Sequence, residues 1–186
     1  MGSETDLITG ELNWSFDPTS FSESLKHRSA EDVVGEIYSH LRTPIHSFLR
    51  TSLGCSHLAE DITQEVFVRL HEELQRGATI QNLRSWSFTV AHNLAVDSHR
   101  KEGRDRVSEG MREAGEADNP EELLLAEERH RKMGIALRRL SVRERQCLEL
   151  RAEGLRYREI AEVLQVTIPA VQSFLARAIA KLKEDR

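Results

Sequence analysis

The chain has 186 residues, of which 39% are apolar, 31% are charged and only 5% are aromatic. This length holds one ordinary domain or two small ones, and the wealth of Leu, Ala, Glu and Arg, without strand-like alternation, predicts an all-α fold. The net charge of -5 argues against a protein that coats nucleic acid indiscriminately, because such binding needs clustered Lys and Arg. Any contact with DNA must therefore be local.

Two cysteines, Cys55 and Cys147, and eight scattered histidines show no paired-ligand spacing. We therefore predict no metal site and no disulfide, which fits a reducing cytosol. The sequence also lacks a phosphate-binding Gly-rich loop and a nucleophile elbow, so we expect neither a cofactor nor an enzyme. Because it has no long apolar stretch and no basic-then-apolar N-terminal signal, we expect a cytoplasmic chain without membrane insertion.

Residues 1–28 are rich in Ser, Thr and Asp and lack a sustained helical stripe, so we interpret them as a flexible extension without an assigned function. From residue 31 to 50, apolar side chains recur every three or four positions, as at Val34, Ile37 and Leu41. This spacing predicts an amphipathic helix that breaks near Gly54.

The next two periodic segments complete a three-helix unit, which we place at residues 29–104. Residues 59–75 carry Ile62, Val66 and Leu70 on one stripe and charged residues on the opposite face, which predicts a second helix. Residues 83–101 predict a third helix that ends in a basic cluster. Its buried face is expected to consist of Leu83, Trp86, Val90, Ala91 and Leu94.

An acidic segment follows this unit. Residues 105–119 are rich in Gly, Glu and Ala without a stable apolar face, so they predict a flexible linker between two independently packed units. The second unit is placed at residues 120–186 and begins with Pro120, which suits a first helical turn. Further on, Ser141 and Glu144 have the spacing of a capping box, and Gly154 is expected to close the helix that they begin.

Residues 157–182 predict two short helices joined by a tight turn at 165–168, which is the sequence form of a helix-turn-helix. Ile160, Ala161 and Leu164 form the inner face of the first helix. Thr167 is the expected N-cap of the second helix. Such a motif places one helix in a groove of DNA.

Two separated stretches of this sequence together resemble one family. The first contains DITQEVF at 61–67 and SWSFTVAHNLAVDSHRK at 85–101, and the second runs from NPEELLLAEE at 119 to the helix that ends at Leu164. The chain resembles a bacterial extracytoplasmic-function (ECF, group IV) sigma factor over roughly residues 31–182. The resemblance implies a sigma region 2 at 29–104, a sigma region 4 at 120–186, and no catalysis. The implied partners are the beta-prime and beta subunits of core RNA polymerase, promoter DNA and an anti-sigma factor.

The resemblance also assigns roles to residues of region 2. Asn93 falls on a position of the helix that reads the minus-ten element, and its amide suits holding the edge of a base extruded from the melted strand. The residues expected to bind core polymerase are Asp61, Gln64, Glu65 and Arg69. Those expected at the minus-ten DNA are Asn93, His99, Arg100, Lys101 and Arg104.

In region 4, the resemblance places the second helix of the helix-turn-helix in the major groove at the minus-thirty-five element. Either Gln172 reads adenine with its amide, or cations hold the backbone and the base preference is unusual. The role of Phe174, in the core, at a thymine methyl group or at a protein partner, stays open. The residues expected at this element are Arg156, Arg158, Gln172, Ser173, Arg177 and Lys181.

A stand-alone helix-turn-helix regulator, which binds duplex DNA as a dimer, is the alternative to a sigma factor. The segment 61–101 distinguishes the two classes of protein. A generic regulator has no need of a polar docking helix followed by a basic helix that bears an Asn, whereas a sigma factor needs both.

Overall fold

The structure, a computed structural model, describes residues 29–102, 137 and 139–184. The predicted extension (1–28), the predicted linker (105–119), the start of the second unit and Arg104 lie outside the described residues. The described part of the chain contains six helices and no strand, as the all-α prediction requires. In chain order they are α1 (Ala30–Leu53), α2 (Ser56–Gln75), α3 (Leu83–Glu102), α4 (Val142–Ala152), α5 (Tyr157–Leu164) and α6 (Ile168–Glu184).

Helix α1 begins at a serine cap and ends at a glycine. Ser29 Oγ accepts a hydrogen bond from the backbone N–H of Asp32 at 3.2 Å, and the carboxylates of Glu31 and Asp32 lie at the positive end of the helix dipole. The helix ends at Gly54, whose φ of 70° lies in the left-handed region that glycine adopts without steric cost. The predicted break near Gly54 is confirmed.

The buried stripe of α1 differs from the prediction at its first residue. Val33 is buried, whereas Val34, which the pattern places inside, is only partly buried. Ile37, Leu41 and Ile45 are buried. Because these three residues recur every four positions, Val33 extends their row and Val34 lies beside it.

Helix α3 buries only part of the predicted face, since Leu83 and Ala91 are buried as predicted. Its buried apolar residues are Leu83, Phe88, Ala91 and Ala95. The predicted Trp86, Val90 and Leu94 are only partly buried and pack against the edge of the core. Apolar residues surround most of this helix, which touches α1, α2 and α5, so periodicity alone does not select one face.

The second unit begins and ends its helices as predicted. The Ser141 hydroxyl accepts from the backbone N–H of Glu144, and the Glu144 carboxylate accepts from the backbone N–H of Ser141, so the capping box is confirmed. Gly154 follows α4 with a φ of 83°. Thr167 Oγ1 accepts from the backbone N–H of Ala170 at 3.4 Å and caps α6. Helices α5 and α6 meet at 103°, an angle typical of a helix-turn-helix.

The two units do not pack independently, which corrects the sequence-based expectation. Helix α4 lies against α1, and α5 lies against α3. One buried cluster includes Phe48 and Phe88 of the first unit together with Leu150 and Ile160 of the second. Helices α4 and α5 have only 11 and 8 residues. Short helices bury little apolar surface among themselves, so contact with the first unit completes their core.

Candidate functional site

The outer face of α2 carries the four residues predicted to bind a partner. Asp61, Gln64, Glu65 and Arg69 are all exposed, because the opposite face of the helix packs in the core. Arg69 Nε donates to Glu65 Oε1 at 2.8 Å, one helical turn away. The face therefore presents an ordered pair of opposite charges rather than isolated side chains.

An apolar residue at the centre of this face was not singled out from the sequence. Val68 has 52% of its surface exposed and lies between Glu65 and Arg69. It borders a groove between α2 and α3 whose other apolar lining comes from Trp86 and Val90. A partly apolar floor with a charged rim is the usual composition of a protein–protein contact surface.

The predicted base-reading residue lies beside the second unit. Asn93 is exposed on α3, and its Oδ1 accepts a hydrogen bond from Gln165 Nε2 at 2.8 Å. Gln165 forms the turn of the helix-turn-helix with a φ of 54°. The structure thus brings together two predicted elements, the minus-ten helix and the helix-turn-helix, at this one hydrogen bond.

The C-terminal end of α3 is basic, as predicted. Arg100 is 80% exposed and lies 3.9 Å from Asp97, so its charge faces solvent with only a weak partner. His99 Nε2 lies 3.0 Å from the carbonyl oxygen of Ser52. Lys101 belongs to the same helix. This end of α3 can follow a phosphate backbone through charge, without reading bases.

Helix α6 has two opposite faces. Val171, Leu175 and Ala178 are buried against the rest of the unit. Gln172 and Ser173 are exposed on the other side, where a DNA groove can reach them. Phe174 is partly buried against the core, which favours a role in packing over contact with a thymine methyl group or a protein partner. The guanidinium of Arg177 lies 5.1 Å from the centre of its ring.

Two further predicted cations lie on α5 or at its start. Arg156 precedes the helix, and its backbone N–H donates to Glu159 Oε2 at 2.6 Å. The Arg158 side chain, 82% exposed, pairs with Glu162 at 3.0 Å. Both arginine side chains lie at the surface, so they are placed to contact phosphates rather than to hold the core.

A buried carboxylate anchors α6. Glu144 is 3% exposed, and it lies 3.1 Å from Arg177 Nε and 2.7 Å from Lys181 Nζ. Burial opposes its ionisation, but the hydrogen bonds from Lys181 and Ser141 outweigh burial and lower its pKa to about 2. Glu144 therefore stays ionised and fixes two of the predicted DNA-binding cations. Among the described residues, no hydrogen bond engages the Nη groups of Arg177.

Sequence reasoning identified Glu144 only as a cap, and it did not identify Val68 or Gln165 as parts of a site. The capping-box pattern locates Glu144 but says nothing of α6, whose cations reach it only through the fold. Val68 carries a signal that periodicity could have detected, because it is an apolar residue on a helix face that is otherwise charged.

Within the described residues, no group of three or more His, Cys, Asp or Glu side chains is arranged to hold a metal ion. No single described helix has the length and apolar character needed to cross a bilayer. Among the described helices, only α5 and α6 counted together across their 103° bend are long and apolar enough, by length and composition alone.

Two family models match the chain in order. The model of sigma-70 region 2 matches residues 37–105, and the model of sigma-70, region 4 matches residues 131–182. The first range contains α2 and α3 with the exposed polar face and Asn93, and the second contains the helix-turn-helix.

Similar proteins include two bacterial sigma factors. The ECF RNA polymerase sigma factor BldN of Streptomyces coelicolor is 30% identical over 160 residues, which cover 81% of this chain and 59% of BldN. The RNA polymerase sigma factor YlaC of Bacillus subtilis is 28% identical over 169 residues, which cover 87% of this chain and 94% of YlaC. The chain thus spans less than two thirds of BldN but nearly all of YlaC.

A solved structure shares the fold. The sigma factor RpoE from Bartonella quintana, in complex with the anti-sigma factor NepR, superposes with a TM-score of 0.59 at 21% sequence identity. The superposition covers 81% of this chain and 94% of that one.

Proposed function

Since the chain belongs to the sigma-70 family as an extracytoplasmic-function sigma factor, we propose that it binds core RNA polymerase and directs it to promoters. In this function region 2 docks on the polymerase and opens the minus-ten element, while region 4 binds the minus-thirty-five element. The chain itself performs no chemical step. A polymerase partner places its action in the cytoplasm.

The main support is the presence of both regions, in order, in one chain. A stand-alone helix-turn-helix regulator needs only the second region. The outer face of α2, with Glu65 paired to Arg69 around the exposed Val68, has no role in such a regulator. In a sigma factor the same face can dock on a subunit of the polymerase, where charge complementarity would fix its orientation.

Strand opening would draw on binding free energy alone. Extruding a base costs a few kcal/mol because stacking and pairing are lost, and capture of the base by hydrogen bonds offsets part of that cost. Asn93 has an amide that offers both donors and an acceptor, and the basic end of α3 can hold the neighbouring phosphates. No nucleotide hydrolysis by this chain is required.

At the minus-thirty-five element, α6 would enter the major groove with Gln172 and Ser173 facing the bases. Arg177, held at its Nε by Glu144, and the surface arginines Arg156 and Arg158 would contact the backbone. Specific DNA binding needs both kinds of contact, side chains that read base edges and cations that hold the phosphate backbone.

We also propose an anti-sigma factor as a partner. Support comes from RpoE, which shares this fold and whose structure was determined in complex with the anti-sigma factor NepR. An inhibitor of this kind would have to mask the α2 face, the promoter-reading residues, or both.

Reconstitution with purified components tests the function. We expect the chain to comigrate with core polymerase on a native gel, and run-off RNA of one defined length to form only when both are present. A chain that shifts duplex DNA by itself and never engages core polymerase would instead be a stand-alone regulator. The preparation must be free of bound inhibitor, which mass spectrometry can verify.

A further inference from the structure

We propose that the N-terminal segment of this chain, residues 1–28, docks in the groove between α2 and α3 that Val68 borders, and that the docked segment competes with core polymerase for the outer face of α2. The competition rests on the proposed function, whereas the docking does not. The part of the segment assigned to the groove is the stretch 14–21, which contains three aromatic residues, Trp14, Phe16 and Phe21.

The groove suits large apolar side chains better than charged ones. It has a volume of about 570 Å³, within the range of about 300–1,000 Å³ that is usual for binding pockets. Its apolar wall is formed by Val68, which is 52% exposed, together with the partly buried Trp86 and Val90. Arginines on its rim are already paired with glutamates of α2, as Arg69 is with Glu65 at 2.8 Å. An occupant would therefore gain chiefly by removing apolar surface from water.

The aromatic content of the segment indicates a partner surface. Residues 1–28 are rich in Ser, Thr and Asp, yet they hold one of the two Trp and two of the six Phe of the chain. Segments that remain unbound in water are usually poor in aromatic residues, because such side chains favour burial. Each aromatic side chain buries about 150–250 Å² when it packs. The stretch 14–21 thus carries side chains of the kind that the groove fits.

The segment joins the described fold beside α2. Helix α1 begins at Ala30, and the Glu31 carboxylate lies 3.4 Å from Nε2 of His71 on α2. His71 and Val68 are three residues apart on this helix, and side chains at that spacing have Cβ atoms about 5–6 Å apart. The residues that precede α1 therefore join it about one helix diameter from the groove.

The direct path from α1 to the groove crosses the outer face of α2. With about 100° between successive residues of a helix, His71 lies about 60° to one side of Val68 and Arg69 about 100° to the other. The start of α1 lies on the His71 side, and the groove lies on the Arg69 side. Phe21 precedes Ser29 by eight residues, which reach about 27 Å when extended, more than the helix diameter of about 10–12 Å. The segment is therefore long enough to cover Val68 and place Phe21 in the groove.

Docking of this kind would cover the face proposed to bind polymerase. A segment on a short linker has an effective concentration on the order of 1 mM at its site, so a dissociation constant of about 0.25 mM would keep it docked about four-fifths of the time. Polymerase would then meet a free α2 face in only about one fifth of the molecules, and its apparent affinity would fall about fivefold. The segment thus acts as a weak competitive inhibitor carried in the same chain.

Photocrosslinking in the free, full-length chain tests the docking. Phe21→p-benzoylphenylalanine places a photoreactive group in the stretch assigned to the groove. Trypsin cleaves after Arg84 and Arg100, so crosslinks to the α3 wall of the groove appear in one peptide, 85–100. Irradiation at low chain concentration, followed by mass spectrometry of the monomer band and of any dimer band, distinguishes docking within one chain from docking between two copies.

A substitution in the groove supplies the comparison. Val68→Glu sets a charge on the apolar wall, so we expect the yield of crosslinked peptide 85–100 to fall about fivefold or more. Thr43→Glu is the matched control, because it introduces Glu in place of a β-branched residue at an exposed position of α1. Both positions are exposed, so neither change disturbs the buried core.

Substitutions in the segment test the competition. A full-length variant in which the three aromatic residues of the stretch 14–21 are replaced by Ser loses the side chains assigned to the groove. We expect it to bind core polymerase about fivefold more tightly than the wild type, as measured by fluorescence anisotropy of the labelled chain. The control variant should bind core as the wild type does, and it replaces by Ala three polar residues of the same segment outside that stretch, Ser3, Thr5 and Thr9.

The proposal predicts crosslinks within one chain to peptide 85–100, equally with Thr43→Glu and much more weakly with Val68→Glu. Crosslinks only elsewhere in the chain, crosslinks only between two copies, or equal yields for Val68→Glu and Thr43→Glu would overturn the docking. A triple Ser variant that binds core no more tightly than its Ala control would refute the competition. If no variant binds core polymerase, the proposed function and the competition both fail, while the crosslinks still decide the docking.

Discussion

Glu144 holds two cations of α6, the helix proposed to read the minus-thirty-five element, in a fixed position. Glu144→Gln keeps the shape and the capping oxygen but removes the charge that faces Arg177 and Lys181. We expect the free energy of unfolding in urea at pH 7 to fall by about 1.5–3 kcal/mol, the usual contribution of hydrogen bonds to a charged group. Glu162→Gln is the control, since its exposed pair with Arg158 should contribute less than about 0.5 kcal/mol.

The pH dependence of this effect has a definite sign. The pKa of Glu144 is lowered from 4.5 to about 2, so the stabilisation is complete above pH 4.5 and disappears as the pH falls towards 2. The difference in unfolding free energy between wild type and Glu144→Gln should shrink over that interval. A difference that is equal at pH 6 and pH 3, or equal losses in Glu144→Gln and the control, would contradict this role.

Asn93 allows a second test at the residue scale. Asn93→Ala removes the amide proposed to hold an extruded base, so we expect strand opening to slow by about tenfold or more while core affinity stays unchanged. Fluorescence of 2-aminopurine in the minus-ten element measures the opening. Gln165→Ala breaks the same hydrogen bond between the units but keeps the amide of Asn93, so it should not slow opening. If both variants open DNA at the wild-type rate, Asn93 does not read the promoter.

At the scale of helices, local signals predicted where the elements begin and end. Ser141, Thr167 and Gly154 act through their own backbone neighbours, so sequence alone locates them. The buried face of α3 was predicted correctly only at Leu83 and Ala91, because Phe88 and Trp86 lie on different sides of a helix that is apolar on both. Which of them is buried depends on the neighbouring helices, and spacing along one helix does not contain that information.

At the scale of helices, the outer face of α2 can be tested as the contact with core polymerase. Glu65→Arg replaces a negative charge of this face by a positive one and places it one turn from Arg69. The ion pair between residues 65 and 69 is therefore replaced by repulsion between like charges. We expect the affinity for core polymerase to fall roughly tenfold, as measured by fluorescence anisotropy of the labelled chain. Glu162→Arg makes the same charge change and breaks the same kind of one-turn pair on α5, away from the α2 face, and should bind core normally. Equal affinity of the two variants would remove this face from the polymerase contact.

At the scale of the whole molecule, the sequence predicted two helical units but not how they meet. Their contact uses polar residues such as Ser52, Asn82 and Gln146, which occur singly and follow no period. Before folding, each looks like an ordinary surface residue. Their pairing appears only once α4 and α5 lie against α1 and α3. A long-range contact made by hydrogen bonds leaves almost no trace in a single sequence.

The proposed function also belongs to this scale, because it requires one polypeptide to bind the polymerase and two DNA elements at the same time. Permanganate footprinting of a promoter fragment, with the chain, core polymerase or both, tests this claim most directly. The account predicts reactive thymines at the minus-ten element only when both proteins are present. Reactive thymines with core alone, or none with both although the chain binds the fragment, would contradict it.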